Sequence, residues 1–82
     1  MSPIRRKQFQ VRGIVQGVGF RPFVYRTALA CNLTGFVRND GDGVVLEIEG
    51  QDHDLSHFRE LLASQAPPLS RITSVTNQEI PT

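Results

Sequence analysis

The 82-residue chain has no tryptophan, one tyrosine, one methionine and a single cysteine, Cys31. One thiol excludes an intramolecular disulfide and cannot build a structural zinc site, so Cys31 is expected to fill space in the core. No apolar run is long enough to span a bilayer and no secretory leader is recognisable, which predicts a cytoplasmic protein with no membrane partner. Charge of one sign is also missing. Nine Lys and Arg against eight Asp and Glu leave a net charge of +1, and the two signs are interspersed, so no broad basic footprint exists for nucleic acid. The stacking aromatics and basic face of an RNA-reading sheet are absent as well, which assigns Phe9 and Phe36 to the core. Repeats and low-complexity segments are lacking, and apolar content of 39% is that of an ordered globular chain. Eighty-two residues make one domain, 1–82, with a core sufficient for folding without staples.

What the chain does have is a pattern that changes period. Residues 8–16 alternate, with Phe9, Val11, Gly13 and Val15 on one side, as in a strand with one buried face. From Phe20 the spacing becomes helical, and Phe20, Phe23, Val24, Thr27, Ala28 and Cys31 form one stripe. A stop is expected between Asn32 and Gly35, followed by a strand over 36–39 and a hairpin turn at Asp40-Gly41-Asp42-Gly43. Val44, Leu46 and Ile48 then alternate in a third strand that Gly50 should end. Asp52 or Asp54 can cap a second helix whose stripe is Leu55, Phe58, Leu61 and Leu62, and Pro67-Pro68 lies beyond its end. A fourth strand is expected within 71–79. Arg5-Arg6-Lys7 reads as a solvated entry to the first strand.

The order strand, helix, strand, strand, helix, strand predicts an α+β ferredoxin-like βαββαβ sandwich, an antiparallel sheet with two helices on one face. In that plan strands one and two run parallel on either side of strand three, and their ends meet at one edge of the sheet. The turn from Gln16 to Arg21 would then face Asn39 across two strand spacings, about 10 Å.

That turn is the candidate site. Gly17 and Gly19 allow consecutive backbone N–H groups to turn toward one point, and Arg21 adds a fixed charge with a fork of donors beside them. Pro22 suits the first position of a helix, so the turn should stand at a helix N-terminus, where anions bind readily. A dinucleotide fingerprint would need glycine at position 22, and a P-loop would need Gly-Lys-Ser/Thr; neither is present. On these residues alone, a tight strand-to-helix turn with Arg21 in a surface ion pair fits equally well. His53 and His57 share a helical face but have no convincing third ligand, so no metal site is expected.

Gly13-Ile14-Val15-Gln16-Gly17-Val18-Gly19-Phe20-Arg21 resembles the first signature of acylphosphatases, and Gly35-Phe36-Val37-Arg38-Asn39 with Gly43 and Val45 resembles the second. Gly19-Phe20-Arg21-Pro22-Phe23-Val24-Tyr25 and Pro67-Pro68-Leu69-Ser70-Arg71-Ile72 are similar to the N-terminal domain of hydrogenase-maturation carbamoyltransferases. The resemblance implies hydrolysis of an acyl phosphate, carbamoyl phosphate in that branch. It implies phosphate binding by Arg21 and the Gln16–Phe20 amides, and a water held by Asn39, with no cofactor. Its implied partners are this small molecule and the downstream domains of a longer chain. A phosphate-binding module serving those domains is the alternative. Family members usually continue into a short extra edge strand after the fourth; this chain ends at Pro81-Thr82.

Overall fold

The computed structural model describes residues 3–41 and 43–82. Its elements are β1 (Ile4–Ile14), α1 (Phe20–Ala30), β2 (Thr34–Asp40), β3 (Gly43–Gln51), α2 (Asp52–Ser64) and β4 (Arg71–Ile80). The sheet order is β2-β3-β1-β4 and every pairing is antiparallel. This is the expected βαββαβ sandwich. Because β1 and β2 both run against β3, they run parallel to each other, and their C-terminal ends share one edge of the sheet.

Apolar periodicity decides which face is covered. Phe9, Val11, Val44, Leu46 and Ile48 are buried on the helix side, where they meet Phe20, Phe23 and Val24 of α1 and Leu55, Phe58 and Leu62 of α2. Phe9 and Phe58 meet edge to face, with ring centroids 6.0 Å apart. Cys31 is buried in the same core, as expected.

Several local expectations are corrected. β1 begins at Ile4, not Gln8, and stops at Ile14. Its polar start is held because it pairs with β3 from Ile4 and with β4 from Arg6, and because Arg6 is ion-paired to Glu47 at 3.0 Å and Glu49 at 3.4 Å across the open face. Arg5-Arg6-Lys7 is therefore strand rather than a solvated entry. Phe36 is not core: it pairs with Glu47 on the open face and is 45% exposed. β2 is longer than predicted at both ends. Gly50 lies inside β3, buried, where any Cβ would overlap the Leu33 side chain; it admits the chain that leaves α1 rather than ending the strand. Pro22 is the third helical residue, not the first, which is still within the turn whose N–H groups lack helical acceptors. α2 is preceded by Gln51 at its cap position with no side-chain cap bond, and Asp52 and Asp54 fall in its first turn instead. There their charge opposes the positive end of the helix dipole without replacing a cap.

α1 ends through Asn32, which takes φ 60°. At the predicted hairpin turn Asp40 pairs with Gly43 and Gly41 takes φ 59°; Asp42 lies outside the described residues. β4 spans the whole predicted range despite its weak alternation, because it is an edge strand held by pairing with β1. No helix among the described residues is long and apolar enough to cross a membrane.

Candidate functional site

β1 leaves the sheet beside a bulge at Arg12/Gly13, where the backbones of β1 and β4 close so tightly that a Cβ on Gly13 would overlap the Arg71 carbonyl oxygen. Val15 returns to the core, and residues 16–19 form the turn into α1. Gly17 takes φ 74° and Gly19 φ 81°, both left-handed, with open space where a Cβ would stand. Backbone conformation, rather than crowding, therefore calls for glycine at these two positions.

Gly19 occupies the cap position of α1 and no side chain caps the helix. The first bond of the helical type runs from Phe23 N–H to the Gly19 carbonyl at 3.2 Å. Among the described residues, the N–H groups from Gln16 to Arg21 find no backbone or side-chain acceptor. A row of donors without acceptors thus stands at the positive end of α1, an arrangement that can hold an anion. Arg21 is exposed on the first turn and makes no ion pair among the described residues, unlike Arg5, Arg6 and Arg38. The surface ion pair that would have given Arg21 a purely structural role is not found among them.

Asn39 reaches the same end of the sheet by a different route. Val11 pairs with Val44, and Val44 with Asn39, so the three residues form one row across the sheet. Residues directly opposite in an antiparallel pair share a face. Asn39 therefore lies on the helix-covered side, at the end where that cover runs out and the residue is exposed. Two strand spacings separate it from Val11, about 10 Å.

A further contact was not legible in the sequence. The Gln16 side-chain amide donates to the carbonyl oxygens of Gly41, at 2.7 Å, and Gly43, at 2.8 Å, joining the turn to the β2–β3 hairpin. No periodicity marks a glutamine for this work; only the convergence of the two loops reveals it.

The two histidines have separate neighbours. His53 Nε2 lies 3.2 Å from Asp54, and His57 Nδ1 lies 4.0 Å from the Cys31 sulfur. No group of three or more potential ligands occurs among the described residues. Burial pushes the Cys31 thiol up from its ordinary value, and the Asp54 carboxylate adds to the shift. Cys31 follows α1 at the end remote from the turn, about 16 Å along the helix axis.

With this geometry, similarity to known proteins is extensive. Residues 7–82 match the acylphosphatase family. The carbamoyltransferase HypF of Rhizobium leguminosarum bv. viciae is 57% identical over 79 residues, which is 96% of this chain and 10% of that protein. The acylphosphatase of Syntrophotalea carbinolica is 44% identical over 79 residues, covering 95% of this chain and 84% of that one. Full-length HypF, crystallised in a phosphate- and nucleotide-bound form, superposes with a TM-score of 0.96 at 38% identity, over all of this chain and 11% of that one. The acylphosphatase of Bacillus subtilis gives a TM-score of 0.87 at 33% identity, over 95% and 87% of the two chains. The chain spans about a tenth of the length of the HypF relatives it matches. It belongs to the acylphosphatase family and is related to the acylphosphatase-like N-terminal region of HypF carbamoyltransferases.

Proposed function

We propose that this domain hydrolyses an acyl phosphate, with carbamoyl phosphate as the substrate in the parent enzyme. That hydrolysis would be the first step of carbamoyl transfer in nickel-iron hydrogenase maturation. The observation that carries this reading is the row of acceptor-less N–H groups from Gln16 to Arg21 at the uncapped start of α1. Members of the family to which the chain belongs are hydrolases, and that supports turnover over mere capture.

In this mechanism the phosphoryl oxygens lie on the amides of Gln16, Gly17, Val18, Gly19 and Phe20, and Arg21 closes over them with its charge. Asn39 holds a water for attack at phosphorus. The new P–O bond forms to that water while the bond to the acyl oxygen breaks; the leaving group departs as a carboxylate, carbamate in the case of carbamoyl phosphate. The water's protons pass to phosphate and solvent. A leaving group of this acidity needs little help, so positioning and charge stabilisation suffice without a strong general base.

A second reading treats the domain as a module that captures the phosphate moiety for chemistry elsewhere in a longer chain, and the tenth of HypF spanned here favours considering it. Phosphate release from carbamoyl phosphate and from a generic acyl phosphate, against buffer and Arg21→Ala, separates the two. Turnover that falls by about 100-fold or more in Arg21→Ala is expected for the enzyme. Saturable binding without phosphate release would transfer the chemistry to other domains.

A further inference from the structure

We infer that Gln16 is a positioning residue whose side chain clips the phosphate turn to the β2–β3 hairpin. It thereby sets the distance between the amide cradle and the water site at Asn39. The inference rests on the functional reading above but is carried by its own contacts. Gln16 Nε2 donates both of its hydrogens, one to the Gly41 carbonyl at 2.7 Å and one to the Gly43 carbonyl at 2.8 Å. These two residues follow Asn39 in the chain, and Gly43 opens β3.

The amide orientation is dictated by chemistry. Two carbonyl oxygens accept from the NH₂ end and would repel the oxygen end. With both hydrogens committed to the hairpin, the side chain of Gln16 has no donor left for a phosphoryl oxygen. Only its backbone N–H can serve the cradle, and the side chain acts through the loop.

The placement explains why a clip is needed. Gly17 and Gly19 are both left-handed with open space around them, so nothing packs against the turn at those positions. Glycine is the residue with the most conformational freedom to lose. Between Val15, anchored in the core, and Phe20, anchored under α1, the two bonds of the Gln16 amide are the only side-chain hydrogen bonds that the turn makes among the described residues. The hairpin is held in turn by the Asp40–Gly43 and Asn39–Val44 pairings. Cradle and water site, which come from different strands, are thus made one rigid unit by a single amide.

Gln16→Glu tests this most sharply, because it keeps the shape of the side chain and sets a carboxylate against two carbonyls; Gln16→Ala removes the contact without repulsion. The first readout is ¹⁵N relaxation of the Gly17 and Gly19 amides, which needs no turnover. Order parameters near about 0.85 in the unaltered chain and below about 0.6 in Gln16→Glu are expected. The second is the kinetic split. Gln16→Glu should raise the inorganic-phosphate Kd and the substrate KM and also lower kcat, each by on the order of tenfold for two lost hydrogen bonds. Equal order of the turn in all three proteins would overturn the clip, as would a loss in kcat/KM explained wholly by unfolding at the assay temperature. If the turn loosens in Gln16→Glu while the unaltered chain neither binds nor hydrolyses, the clip stands and the functional reading fails.

Discussion

Gly13 and the Arg71 carbonyl oxygen approach so closely that no side chain fits between them. Gly13 also takes φ 129°, a conformation L residues rarely adopt. The contact seats β4 on β1 immediately before the glycine turn at residues 16–19. Gly13→Ala therefore combines backbone strain with a clash against main-chain atoms that cannot rotate away, at a cost of about 3 kcal/mol. Thermal unfolding should show Tm lowered by about 10 °C or more. Gly19→Ala, at φ 81° with open space around it, should lose only about 1 kcal/mol. Equal losses would contradict the crowding at Gly13.

Arg21 and Asn39 should separate binding from turnover. Arg21 is exposed and has no ion-pair partner among the described residues, so Arg21→Ala is expected to change stability by no more than about 0.5 kcal/mol. Its effect belongs in phosphate affinity, read by titration. Asn39→Ala should keep phosphate affinity within about twofold and lower kcat by about 100-fold. Intact turnover in Asn39→Ala would remove the water-holding role.

Phe58 is fully buried against Phe9 and the sheet. Truncation to alanine leaves a cavity the neighbouring strands cannot close, and the expected loss is about 3–5 kcal/mol. For a domain of this size that is a large share of the total, about 4–12 kcal/mol. Urea titration should move the midpoint down with little change in slope.

The Cys31 thiol offers a pH test at a distance from the site. Burial, with a smaller contribution from Asp54, raises its pKa in the native protein. The unfolded chain therefore releases the thiol proton first. The stabilisation is complete below the unfolded thiol's value, about 8.5, and is lost as pH rises through the raised native value. Cys31→Ser should flatten this part of the stability profile, and alkylation of native Cys31 should lag behind that of the unfolded chain at every pH.

The element order and the buried faces were present in local sequence. Phe9, Val11 and Val15 alternate, Phe20, Phe23 and Val24 recur at helical spacing, and a residue's face depends only on its near neighbours. The glycine turn with its arginine was legible for the same reason, since left-handed backbone and a helix start are local properties. Tertiary structure decided what non-local pairing controls. Ile4 to Lys7 became strand because β3 pairs with all four and β4 joins from Arg6, Arg6 found Glu47 and Glu49, and Gly50 stayed inside β3 with Leu33 over it. The link from Gln16 to Gly41 and Gly43 spans 25 and 27 residues. A hydrogen bond of that separation has no periodicity to announce it; it exists only after β1 and β2 have been brought to the same edge of the sheet by β3.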